Sequence, residues 1–191
     1  MKTRSRIASL ALALCLMCGL ALPAFAATDI SASGGTGTTP VTLTAAATTF
    51  DVTVPTGIAI TVNADATVTC PSASAVKITN NSAGDVKVSG ISMSEGTWHL
   101  ASYNGGDRSA LASEAVDAKK LGFQLAVTGD TAATAQAGDQ TLTHNASKWV
   151  IDPGESLNIT TAAIATAVSS AITQGETAAN VVFTIGWNTA A

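Results

Sequence analysis

Cysteine is scarce in this chain, and the scarcity excludes one whole class of fold. Of three cysteines, Cys15 and Cys18 lie in an apolar leader, which leaves Cys70 alone. A lone thiol closes no internal bridge, so this is not a disulfide-stapled mini-scaffold and the fold must rest on its core. Basic residues are few as well, 9 Lys and Arg against 13 Asp and Glu. A charge-poor, acidic chain has no electrostatic footprint for nucleic acid or anionic lipid. After the leader no apolar run approaches the ~20 residues of a membrane span, and no wall-sorting motif closes the sequence. No span is expected, and retention at a surface would be non-covalent.

What is present begins with residues 1–26. Lys2, Arg4 and Arg6 form a cationic start, Ile7 to Leu22 an apolar run, and Ala24-Phe25-Ala26 places small residues where a leader peptidase reads them. This is the pattern of a secretory signal peptide. Leu14 and Met17 precede the leader cysteines, so lipidation is not expected. Cleavage after Ala26 would leave 165 residues, with six basic side chains against thirteen acidic ones and a net charge of −7. That length can bury one core of ordinary domain size. Residues 27–40 (ATDISASGGTGTTP) read as a flexible arm, and residues 41–191 as one domain without repeat or linker.

Within that domain apolar residues alternate with period two, the sign of strands with one buried face. Phe50, Val52 and Val54 alternate, as do Ile58, Ile60 and Val62. Leu121, Phe123, Leu125 and Val127 follow the same pattern, and Val181, Phe183, Ile185 and Trp187 make the strongest run. Val68 and Cys70 share an apolar face. The phase flips at Gly90, between Val86/Val88 and Ile91/Met93, as a β-bulge would make it. Asp152-Pro153-Gly154 reads as a turn. Ala162–Thr173 fits either an extended chain or a helix, the extended reading being favoured by its threonines and its neighbours. Roughly ten short, mostly antiparallel strands in an all-β domain point to a single β-sandwich, Ig-like or jelly-roll.

Chemistry is sparse. His99 and His144 are the only histidines, neither with an acidic residue at ligand spacing, so surface histidines are expected and no metal site. There is no Gly-x-Ser-x-Gly elbow, and Cys70 reads as a buried structural thiol. Asp51, Asp65, Asp85, Asp152 and Glu155 sit at outward phases or turns, where carboxylates face water. No enzyme and no cofactor are expected. Asn104-Gly105-Gly106-Asp107 is a turn that faintly echoes calcium loops, and whether calcium binds near Asp107 stays open. Sequons at Asn80, Asn145 and Asn158 arise often by chance in a Thr/Ser-rich chain, and if the host is bacterial, as the leader suggests, they carry no weight. Trp149 and Trp187 are expected in the core, together with Phe123, Phe183 and Ile185. Trp98 and Tyr103 form the one pair expected to serve as an exposed ligand platform.

Three stretches carry a resemblance: TFDVTVPT at residues 49–56, AVKITNNSAGDVKV at 75–88 and ANVVFTIGW at 179–187. Together the chain resembles the secreted, threonine-rich β-sandwich surface and matrix proteins of Gram-positive bacteria. More distantly it is similar to the jelly-roll subunits of biofilm fibres. The resemblance implies a structural or adhesive role at the cell surface or in the extracellular matrix, with itself, other surface proteins or glycans as partners. It carries no catalytic residue across. Two functions are therefore weighed: a self-assembling fibre subunit, and a monomeric carbohydrate- or cell-wall-binding module. In the first, Val41, Thr42, Leu43, Thr44 and Ala45 could be a strand exchanged between copies. The favoured expectation is that these five residues pair within their own sheet.

Overall fold

The computed structural model describes residues 41 and 43–189. The expected signal peptide at 1–26 and arm at 27–40 lie outside the described residues. The chain divides into two units, 1–45 and 46–191, and the description below concerns the second.

Thirteen strands and two short 3-10 turns make up the described chain. The fold is all-β, built from several mostly antiparallel sheets. β5 (Val86–Glu95) is the axis of one sheet. It pairs on one side with β13 (Ala179–Trp187), and also with β10 (Val150–Ile151) at its start and β9 (Gln140–Thr141) near its end. A second sheet centres on β7 (Lys120–Ala126), flanked by β12 (Thr160–Ala165), β8 (Ala133–Thr134) and β6 (His99–Ala101). The β6–β7 pair is parallel. A third sheet holds β1 (Val52–Thr53), β4 (Lys77–Asn80) and β11 (Ser156–Asn158), and β2 (Thr61–Val62) pairs with β3 (Val68–Thr69).

The alternation in the sequence sets which residues face in. Val86, Val88, Ile91 and Met93 of β5 share one core with Leu121, Phe123 and Leu125 of β7, joined by Trp98, Trp149, Ile151 and Ile159. The phase flip at Gly90 is a bulge in the structure. Thr184 pairs with Gly90 and Ile185 with Val88, so Ser89 is the extra residue. Without it, half of β5 would turn its apolar side chains to solvent. Gly154 adopts φ +78°, and the Glu155 amide closes on the Asp152 carbonyl at 3.1 Å, the proline–glycine turn read from the sequence. Ala162–Ala165 continues β12, and residues 166–173 belong to no helix or strand.

Asn80 has no exposed surface, and its polar groups are all engaged. Its amide donates to the carbonyls of Gly84 and Ile151, each at 2.9 Å, and its oxygen accepts from the Ser82 amide at 2.9 Å. A buried amide satisfied in this way ties β4 to β10.

Several core expectations need correction. Phe123 is buried, at 4% exposure, but Phe183 and Ile185 are only half-buried and Trp187 is 36% exposed. Among the described residues β13 has a strand on one side only, so its inward face is covered from one direction. Cys70 is half-buried rather than sealed. Desolvation pushes its thiol pKa up, more than the hydroxyl of Thr161 and the backbone of Ala163 bring it down. Of the expected home strand at Val41–Ala45, the described residues 41 and 43–45 lie in no strand.

Candidate functional site

The longest run of unpaired strand edge among the described residues belongs to β13. Along its nine residues it pairs with β5 and, on its other edge, with no described strand. Its sequence, ANVVFTIGW, contains no charge and no proline. Soluble proteins usually blunt such an edge with lysine, proline or a covering loop. Here the bulge opposite Ser89 interrupts it, and residues 55–60 run beside its first half without a backbone hydrogen bond to it among the described residues.

Beside the first half of β13 lies a groove of about 520 Å³. Its sides come from Pro55–Ile60 and from Gly175–Val181, and the core residues Met93, Leu121 and Phe123 line it as well. An adjoining hollow of about 340 Å³ shares Ile60, Leu121, Gly175, Glu176 and Ala178, and reaches Trp98, Val168 and Ile172. Residues 54–60 lie in no strand, and among the described residues no backbone hydrogen bond links them to β13. At the other end of β13, the Phe50 ring meets Trp187 edge-on, with centroids 5.1 Å apart. The chain from Phe50 to Ile60 therefore runs opposite in direction to β13, with the groove between its later part and the strand.

The groove's rim is pinned by Glu176. One carboxylate oxygen accepts from the Trp98 indole Nε1 at 2.5 Å, and Lys119 Nζ lies 3.1 Å from both oxygens. These hydrogen bonds, Trp98 first, hold the Glu176 carboxyl below its ordinary value. The Gly96 and Trp98 amides donate to the Ala178 carbonyl at 3.0 and 3.2 Å, and the Thr97 amide to the Thr177 carbonyl at 2.9 Å. A Cβ at Gly96 would lie 2.2 Å from that Thr177 carbonyl oxygen. Only glycine lets the β5–β6 turn approach so closely.

The other anticipated residues fall elsewhere. Trp98 and Tyr103 are 5% and 9% exposed and belong to separate apolar clusters. Packed into different clusters, the two rings form no shared exposed platform, and that reading is corrected; Trp98 alone also lines the hollow of about 340 Å³. The exposed aromatic pair is instead Phe50 with Trp187, whose indole lies over Gly84, where a Cβ would meet it at 3.1 Å. Asp107 caps a 3-10 turn (Arg108–Leu111) by accepting from the Ser109 amide at 2.8 Å, which explains the Asn-Gly-Gly-Asp stretch as a turn. His99 pairs with Glu95 at 3.0 Å on the surface. His144 packs edge-on against Trp149, with centroids 5.7 Å apart. Among the described residues no group of three or more His, Cys, Asp or Glu side chains could hold a metal ion, and no helix is long and apolar enough to cross a membrane.

Comparison with protein-family models, with curated proteins and with solved structures found no match. The open edge had a signal in the sequence: the strongest alternating run lacked any charge or proline. Strand order, which makes it an edge, had none.

Proposed function

We propose that the chain is a secreted structural or adhesive protein of the cell surface or extracellular matrix, and that it assembles with copies of itself through an open sheet edge. The described domain is read as a β-sandwich in which the β5 and β7 sheets pack across one shared core. The observation that carries the reading is β13, nine uncharged residues paired on one side only among the described residues, beside a groove of mixed polar and apolar lining. An unprotected edge of this kind accepts a strand from a neighbour through main-chain hydrogen bonds. The leader at residues 1–26 supports export.

No catalysis is assigned. The carboxylates of Glu95, Asp107, Asp117, Asp130 and Glu176 each accept a hydrogen bond that holds a loop or cap in place. Their lowered pKa values have that structural cause.

A second reading, a glycan-binding module, is favoured by the exposed Phe50–Trp187 pair. Sedimentation velocity over a concentration series separates the two. A ladder of polymers supports assembly, whereas a strict monomer retarded on polysaccharide gels supports the glycan reading.

A further inference from the structure

We infer that Cys70 is a site of reversible oxidation by peroxide, and that the buried hydroxyl of Thr161 donates to the oxygen so placed on sulfur. The inference is independent of how copies assemble.

It begins from an unpaired group. Thr161 is 6% exposed, and among the described residues its Oγ1 is a buried side-chain atom with no hydrogen-bond partner. Buried hydroxyls are almost always engaged, so an orphan calls for a cause. What this one faces is Cys70. β3, which Cys70 directly follows, packs against β12. The sulfur sits where the Thr161 hydroxyl and the Ala163 amide both bear on it. Two donors from one strand, two residues apart, thus converge on a single atom. Thiol sulfur is a weak acceptor, and it leaves the hydroxyl unsatisfied. An oxygen bound to that sulfur is a strong acceptor, and supplies what the reduced form lacks.

The chemistry balances with hydrogen peroxide as the oxidant. The Cys70 thiolate attacks one peroxide oxygen; the S–O bond forms as the O–O bond breaks, and the departing hydroxide takes a proton and leaves as water. Sulfur gives up two electrons and the peroxide accepts them, so thiol and peroxide become sulfenic acid and water. Half-burial leaves the sulfur reachable by a molecule as small as peroxide. Desolvation raises the thiol pKa, so the step is slow near neutral pH and quickens as pH rises. A sulfenic acid is normally lost by condensing with a second thiol. The other cysteines, Cys15 and Cys18, both lie in the leader expected to be removed, so the processed chain offers none. A small external thiol reverses the change, first forming a mixed disulfide and water, after which a second thiol frees Cys70.

The test treats the secreted protein with hydrogen peroxide, traps sulfenic acid with dimedone and reads intact mass. One adduct is expected, at Cys70, absent without peroxide and absent in Cys70→Ser. Thr161→Val removes the hydroxyl, and the lifetime of its sulfenic acid should fall by roughly fivefold to tenfold, the worth of one hydrogen bond. Thr161→Ser should retain the wild-type lifetime. Oxidation should also shift Tm upward in the wild type and not in Thr161→Val, a difference that a merely structural threonine would not produce. A native Cys70 that takes up no oxygen, while the urea-unfolded chain does, would overturn the site. Equal lifetimes in wild type and Thr161→Val would overturn the part given to Thr161.

Discussion

The indole Nε1 of Trp149 donates to Oδ2 of Asp130 at 2.7 Å across 19 residues of sequence. The same carboxylate accepts from the amides of Thr131 at 2.7 Å and Asn145 at 3.1 Å. Trp149 is wholly buried, so the bond both orients the core's largest side chain and anchors the loop before β10. Asp130→Ala leaves a buried N–H without a partner, which costs about 1–3 kcal/mol. Asp130→Asn retains an acceptor and should recover part of it. Urea melts followed by tryptophan emission will measure both; an unchanged midpoint for Asp130→Ala would remove the bond from the account.

Acid should destabilise the fold. Side-chain and backbone donors from Ser169 hold Asp117 below its ordinary value, and Trp98 and Lys119 do the same for Glu176. For Asp130, burial pushes upward, yet hydrogen bonds from Trp149, Asn145 and Thr131 outweigh it. A carboxyl depressed in the folded state contributes fully above its unfolded pKa of about 4, and the contribution is lost as pH falls through the folded value. Tm should therefore stay level from pH 7 to about 5 and drop below about 4, with a shallower drop in Glu176→Gln. A Tm that rises on acidification below pH 4 would contradict the assignment.

Two glycines should differ in what an added methyl does. At Gly122 a Cβ would lie 2.7 Å from Cγ1 of the buried Ile164 and 3.1 Å from the Ser102 carbonyl oxygen. Overpacking there costs about 1–3 kcal/mol. At Gly96 the obstacle is the Thr177 carbonyl oxygen at 2.2 Å, and backbone cannot step aside without breaking the pins of the 175–178 rim. Gly96→Ala should be the more damaging change by chemical denaturation. Equal midpoints for the two variants would place the rim wrongly.

Cys70 should react with a thiol reagent at an intermediate rate. It is half-buried, and desolvation raises its pKa, which lowers the thiolate fraction near neutral pH. Labelling slower than in the urea-unfolded chain, and faster at higher pH, is expected. A rate equal to that of the unfolded chain would mean that the Thr161 and Ala163 surroundings of the thiol do not persist in solution.

Much of the fold was legible because period-two alternation reports which way each side chain points. The bulge at Ser89–Gly90 and the Pro153-Gly154 turn were readable residue by residue, since each has a local chemical cause. Alternation says nothing of how many neighbours a strand has. Phe183, Ile185 and Trp187 were therefore expected to be fully covered, and their partial exposure follows from the edge position of β13. Trp98 and Tyr103 sat beside a glycine-rich turn that suggested exposure. Long-range contacts bury them, Trp98 through Glu176, which lies 78 residues away. Val41–Ala45 alternates like its neighbours, but whether it pairs depends on strands the local sequence does not specify.

The most direct measurement is electron microscopy of the secreted protein, wild type beside Val182→Lys. Val182 lies on the exposed face of β13 at 56% exposure, where a lysine adds charge at the open edge without disturbing the core. Filaments are predicted for the wild type, and isolated particles with an unchanged melting curve for Val182→Lys. Wild-type fields without filaments at any concentration, or filaments equally abundant in both proteins, would contradict assembly through β13.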